Sequence, residues 1–273
     1  MATPRPLRTS MYVPGNKEDW MRKAPQYGAD ALILDLEDSV PVPNKAEARV
    51  LVRKILEELG GVKPTLTVRV NRLKTGLTGV DLEAVTCPQL YCVLLPKVES
   101  AEQIAELMDH LAGTAKGLSG AAIYATIETA LGLTKVEEIA AAQGLAGLFF
   151  GSGDYKLSTG IEISSETLLY PRSRIAVAAA ANGLQSVDVA YFKDVKDPDL
   201  ARQDAKDARA LGFTGKVVFH PNQIGPVNDV FTPSADEIAH AQKILDAYEA
   251  SQGTGQGVFM VDGDFVAVDI ALM

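Results

Sequence analysis

The chain has 273 residues, 47% of them hydrophobic, and a formal net charge of −9; that suits one large α/β domain with an ample core. The acidic balance excludes a general nucleic-acid binder, which needs clustered positive charge, but leaves room for an anionic small molecule held by a few inward cations. No apolar run approaches the ~20 residues that span a bilayer, and MATPRPLRTSMYVPG lacks the apolar core of a signal peptide, so a cytoplasmic, membrane-free protein is expected.

Short apolar runs alternate with amphipathic stretches from one end to the other. A strand is predicted over Ser10–Pro14, and PGNKED after it is no dinucleotide fingerprint. A helix follows at Lys17–Tyr27, then a strand at Ala31–Asp38 and a helix at Asn44–Leu59. The pattern continues with strand Leu66–Asn71, helix Gly79–Thr86, strand Val93–Lys97 and helix Ala101–Leu111. Cys87 and Cys92 fall here, two cysteines being too few for a disulfide framework or a zinc site; Cys92 reads as a small buried hydrophobe. Strand Ala122–Glu128, helix Leu131–Ala142, strand Gly147–Gly151 and helix Ser165–Asn182 come next. Strand Ser186–Phe192, helix Pro198–Leu211, strand Val217–His220 and a helix over Ser234–Ser251 complete the set. Eight such repeats fit a closed (β/α)8 TIM barrel better than an open sheet. Gly-rich SQGTGQG then sets off a short tail, so a barrel over 1–252 and a C-terminal extension or lid over 253–273 are expected.

Side chains alternate across a strand, and a barrel's outer face must be apolar where helices cover it. In ALILDLED, Leu32, Leu34 and Leu36 form the apolar set, which turns Ile33, Asp35 and Glu37 inward. In TLTVRVN, Thr67, Arg69 and Asn71 turn inward; in AIYATIET, Tyr124, Thr126 and Glu128 do. In VLLPK the parity is less clear, with Val93, Leu95 and Lys97 on one face. The inward carboxylates and cations gather at the C-terminal strand ends, where barrel enzymes place their chemistry. Buried charges need a partner, a metal or a reaction. Glu128 ends the fifth strand and Asp154 follows the sixth in FFGSGDY, so the two carboxylates can share a hard cation such as magnesium. Gly151 and Gly153 would let backbone N–H groups approach an anion there. The three histidines, at 110, 220 and 240, are scattered; His220 reads as a rim residue bonded to backbone, with a general base as the alternative.

Together RTSMYVPGN, ADALILDLEDSVPVPNKAEAR, VRVN, LLPKVES, IET, FFGSGD and GFTGKVVFHPNQIGPVNDVFTPS resemble the citrate lyase beta-subunit family of the HpcH/HpaI aldolase/citrate lyase superfamily, which includes malyl-CoA and citramalyl-CoA lyases. The resemblance implies a Mg2+-dependent carbon–carbon lyase that cleaves a 3-hydroxyacyl-CoA to an acyl-CoA and a 2-oxo acid. It implies Glu128 and Asp154 as magnesium ligands and Arg69 as the binder of the oxo-acid or thioester oxygen. It further implies the Gly153–Asp154 backbone as the carboxylate receiver, Asp35, Glu37 and Asp38 as the acidic cluster near the metal, and Lys97 as their partner. Arg22 falls where such proteins meet coenzyme A, and a homo-oligomer, trimer or hexamer, is implied.

The tail departs from that pattern. Similar proteins carry a catalytic aspartate there, and in VDGDFVAVD the matching position is Ala267, with Asp264 and Asp269 nearby. The alternatives are the beta subunit of a multi-subunit citrate lyase, a thioesterase of the same fold, a Schiff-base aldolase using Lys97, and a non-enzymatic binding protein.

Overall fold

Eight parallel strands close on themselves in the computed structural model, which describes residues 6–61, 63–114, 121–189, 194–251 and 258–267. They are β1 (Thr9–Pro14), β2 (Ala31–Asp35), β3 (Thr65–Arg69), β4 (Cys92–Leu95), β5 (Ala122–Ile127), β6 (Leu145–Phe150), β7 (Gln185–Asp188) and β8 (Gly215–Val218). Each pairs with its successor, and β8 returns to β1 through Thr9↔Lys216, Ser10↔Val217 and Met11↔Val218. The TIM barrel expected from the repeats is therefore the fold.

The helices between strands are α1 (Glu18–Lys23), α2 (Lys45–Leu59), α3 (Thr78–Val85), α4 (Ala101–Gly113), the pair α5 (Ala130–Thr134) and α6 (Val136–Ala140), α7 (Ser152–Thr159), α8 (Ser165–Ala181) and α9 (Pro198–Ala210), with α10 (Ile224–Phe231) after β8. Two of these, α7 and α10, were not expected. Gly-Ser-Gly at the start of α7 and Gly225-Pro226 at the start of α10 read as breakers, yet all lie within or just before a first turn, where no intrahelical N–H bond is needed. The single helix expected over Leu131–Ala142 is two short ones meeting at Lys135. The end of the expected strand Ser186–Phe192 lies outside the described residues.

Strand parity sorts the core into two layers. Leu32, Leu34, Leu36, Leu66, Val68, Val70, Ile123, Ala125 and Ile127 pack between the barrel wall and its helices. Ile33, Cys92, Leu94, Tyr124, Phe149, Val187 and Val217 fill the interior. Tyr124 meets Phe149 edge-on at 5.5 Å, and its hydroxyl donates to Gln185 at 2.6 Å. Cys87 and Cys92 are buried free thiols.

One charged cluster sits in the wall itself. Arg172 of α8 donates to Asp188 at the end of β7 (3.1 Å) and to Asp204 of α9 (2.8 Å); Lys216 of β8 pairs with Asp204 at 2.7 Å and with Asp188. All four are buried. Two cations and two anions balance, so removing one leaves a buried charge without a counter-ion. Asp188→Ala is expected to cost about 3–5 kcal/mol of unfolding free energy, measured from urea midpoints. A loss below about 1 kcal/mol, as at a surface pair, would contradict that reading.

By contacts the chain divides into two compact units, 1–231 and 232–273. The second unit comprises α11 (Ala235–Ser251) and a hairpin, β9 (Val258–Val261) and β10 (Asp264–Ala267). Val261 and Val266 pack with Ile244, Ala247, Tyr248 and Phe259. Lys243 pairs with Asp262 at 2.8 Å. Among the described residues no helix is long and apolar enough to cross a membrane.

Candidate active site

Most of the strands stop earlier than their polar ends suggested, and this puts the polar residues in the loops at the C-terminal mouth. Asp35 is the last residue of β2 and Arg69 the last of β3, in register as a Cα pair. Their side chains form a bidentate pair, Arg69 Nε to Asp35 Oδ1 at 2.7 Å and Nη2 to Oδ2 at 2.8 Å. Asp35 also accepts the N–H of Glu37 (2.9 Å) and the N–H of Ser39 (3.0 Å). Burial pushes its carboxyl up, but Arg69, Ser39 and that backbone N–H outweigh it and hold the group below the ordinary carboxylate range. The Arg69 guanidinium lies 4.7 Å from the centroid of the Tyr12 ring, which itself stacks on Phe219.

Glu37, just beyond β2, is buried and lies between two cations: Lys97 Nζ donates to Oε1 at 2.9 Å, and Arg69 Nη1 is 3.1 Å from Oε2. Burial and neighbouring Asp38 still leave its carboxyl raised. Lys45 of α2 fixes this loop from beneath, donating to the carbonyls of Leu36 at 2.7 Å and Glu37 at 2.8 Å. Asp81 of α3 holds the neighbouring loop, accepting from Asn71 N and Nδ2, both at 2.7 Å, and from Arg49 Nε at 2.6 Å.

Lys97 joins the two halves of the mouth. Its ammonium also lies 3.1 Å from Asp38 and 3.3 Å from Asp154, and its backbone N–H donates to Glu128 Oε1 at 2.8 Å. The parity expected for this strand needs correcting: Val93 and Leu95 face the helices, so simple alternation would send Lys97 outward too. It reaches the mouth because its φ is +52°, a left-handed backbone at a residue that is not glycine. Surrounding carboxylates outweigh burial and hold its amine above the ordinary lysine value. A Schiff-base lysine needs the opposite shift.

Glu128, one residue past β5, is 3% exposed and its carboxyl is pushed up to about 8, chiefly by burial, with Glu37 and Asp154 adding repulsion. Gly151 follows β6 directly behind it: a Cβ there would stand 2.4 Å from Glu128 Oε2, so only glycine admits the carboxylate. Asp154 lies in the first turn of α7, where the backbone N–H groups of Gly153 and Asp154 precede the first intrahelical bond, Tyr155 N–H to Gly151 O. Two mutually repelling carboxylates, one of them strongly desolvated, fit a divalent cation between them. Among the described residues no cluster of three or more His, Cys, Asp or Glu stands ready to hold a metal; a two-carboxylate magnesium site takes its other ligands from water and substrate.

Beside Arg69 and Asp35 opens a cavity of about 630 Å³, walled by Tyr12, Trp20, Tyr27, Phe219 and His220 among others. His220 is bonded to backbone as expected, but as acceptor: its Nδ1 receives the Asn222 N–H at 3.2 Å. Arg22 turns elsewhere, to Glu18 at 2.9 Å and Glu58 at 2.8 Å, and the α1 residues at the cavity are Trp20 and Lys23. Tyr12, Ser39 and Lys45 went unmarked in the sequence. Parity on TSMYVP could have flagged Tyr12 as inward; nothing local marks Lys45, whose role depends on tertiary contact.

A closed parallel barrel with ion-paired carboxylates and an arginine at its C-terminal mouth defines an enzyme of the TIM-barrel class. The chain belongs to the HpcH/HpaI aldolase/citrate lyase family, whose model matches residues 8–221. It is 36% identical over 277 residues to the mitochondrial citramalyl-CoA lyase of Homo sapiens, covering 96% of this chain and 81% of that one. It is 36% identical over 263 residues to the (3S)-malyl-CoA thioesterase of Cereibacter sphaeroides (strain ATCC 17025 / ATH 2.4.3), covering 96% and 90%. Among solved structures, CitE from Mycobacterium tuberculosis in complex with magnesium, acetoacetate and coenzyme A matches with a TM-score of 0.76 at 31% identity, over 97% of this chain and 94% of that one.

Proposed function

We propose that this chain is a Mg2+-dependent carbon–carbon lyase that cleaves a 3-hydroxyacyl-CoA of the citryl-, malyl- or citramalyl-CoA type to an acyl-CoA and a 2-oxo acid. The observation that carries it is the meeting of Glu128 and Asp154 at Lys97, beside Arg69, within this family's fold. Magnesium held by the two carboxylates would supply Lewis acidity toward the substrate's hydroxyl and carboxylate oxygens. Gly153 and Asp154 N–H groups receive the substrate carboxylate at the start of α7. Arg69 donates Nε and Nη2 N–H groups to Asp35 and brings Nη1 to 3.1 Å from Glu37, and its other N–H groups would serve the oxygen on which negative charge grows. Glu37, made more basic by burial, is the carboxylate best placed to take up a proton, with Asp35 holding Arg69 in line. Lys97 keeps Glu37, Asp38 and Asp154 from repelling one another.

In the tail, Asp262 is tied to Lys243, Asp264 opens β10 exposed, and Asp269 lies outside the described residues. Residues 253–273 serve as a lid or extension in this reading, the working form is a trimer or hexamer, and the location is cytoplasmic. Thioester hydrolysis is the second reading, favoured by the likeness to a malyl-CoA thioesterase; service as a citrate lyase beta subunit would use the same mouth.

Metal dependence tests the proposal. Chelator is expected to abolish turnover and added Mg2+ to restore it, while borohydride with substrate leaves Lys97 unmodified. Full activity in chelator, with a reduced Lys97 adduct, would replace the reading with a Schiff-base aldolase.

A further inference from the structure

Among the described residues only Lys97 and Asp262 combine a side chain with a positive φ. Left-handed backbone is disfavoured for a lysine, because its Cβ crowds the carbonyl oxygen, and such strain persists only where the surroundings enforce it. At Lys97 two contacts use it. The backbone N–H faces Glu128 Oε1 at 2.8 Å, and the ammonium, redirected from the helix side of the barrel, lies 3.3 Å from Asp154 Oδ2. One residue thus touches both carboxylates to which the preceding section gives the metal, and the inference rests on that reading.

The two contacts act on a cation in opposite senses. An N–H donor fixes Glu128 and leaves its charge in place. The ammonium brings a full positive charge to within a few ångströms of any ion on Asp154, and like charges that close repel strongly in a half-buried site. Three carboxylates, Glu37, Asp38 and Asp154, hold it there, so its removal leaves the cluster more negative. We propose that Lys97 is a positioning residue of split action: its left-handed backbone builds the cation site through Glu128, and its ammonium weakens the hold of that site on the ion. A loosely held metal that exchanges with substrate present is the consequence.

The split is testable because glycine keeps the N–H, adopts a positive φ freely and lacks the ammonium, whereas valine resists that φ. Binding of Mn2+ alone, followed by electron paramagnetic resonance of the free ion, reads metal affinity without turnover. Lys97→Gly is expected to bind Mn2+ more tightly than the native chain, on the order of tenfold. Lys97→Val, checked for native circular dichroism, is expected to bind at least about tenfold more weakly than Lys97→Gly, because both lack the ammonium and only in the valine variant does Glu128 lose its fixed donor. Weaker binding by Lys97→Gly would overturn the proposal by itself, whatever the fate of the valine variant. If native protein and Glu128→Gln bind Mn2+ equally, it is the metal assignment that fails, a result distinct from failure of the Lys97 split.

Discussion

Glu128→Gln is expected to abolish measurable turnover, a fall of ~10³-fold or more, while leaving the fold intact or slightly more stable. Glutamine retains the shape of the side chain and an oxygen to accept the Lys97 N–H, so the loop after β4 keeps its anchor. What disappears is the negative charge. That charge is poorly accommodated by the protein alone: Glu128 is almost fully buried, and its carboxyl is pushed up to about 8 by desolvation, with Glu37 and Asp154 adding repulsion. A neutral amide in the same place relieves both costs. Activity and stability therefore move in opposite directions, the pattern of a group kept for chemistry and not for folding. Steady-state kinetics and thermal melts on the purified variant check both halves. Turnover within tenfold of the native rate would remove Glu128 from the metal site.

Arg69 carries the second large effect, and here activity and stability fall together. Arg69→Lys keeps the charge but cannot span both oxygens of Asp35 or lie flat on Tyr12. A loss of ~10²–10³-fold in kcat/KM is expected from the misplaced oxyanion donor. Arg69→Met goes further, leaving Asp35 buried without its guanidinium partner and taking one of the two side-chain cations from Glu37. Breaking a buried pair by removing one partner costs about 3–5 kcal/mol, so the methionine variant should show a lower urea midpoint as well as lost activity. If Arg69→Lys retained native kcat/KM, the guanidinium would be a structural partner of Asp35 and nothing more.

How these residues come together was partly written in the chain. Period-2 alternation in ALILDLED, TLTVRVN and AIYATIET placed Asp35, Arg69 and Glu128 at the mouth, because helix-covered barrel strands tolerate only apolar outer faces. The family motifs then gave Glu128 and Asp154 a shared purpose. Lys97 shows where alternation stops working. Its strand ends at Leu95, Pro96 follows, and a single left-handed residue redirects the side chain from the helix layer to the carboxylates. No periodicity foretells that. The helix at Ser152–Thr159 was hidden for a related reason: the glycines that make room for Glu128 and free the first-turn N–H groups are the residues that signal a loop. Arg22 shows a different limit. The family resemblance puts it where coenzyme A is met, while in the structure its guanidinium pairs with Glu18 of the same helix and Glu58 of α2, and only tertiary packing reveals the second partner.

The reaction proposed for the mouth breaks a carbon–carbon bond and does not hydrolyse a thioester. Purified chain given Mg2+ and either citramalyl-CoA or malyl-CoA should release a 2-oxo acid and an acyl-CoA in equal amounts, with no free thiol, by mass spectrometry of the quenched mixture. Free coenzyme A together with the intact hydroxy acid, and no 2-oxo acid, would contradict the account and make the chain a thioesterase.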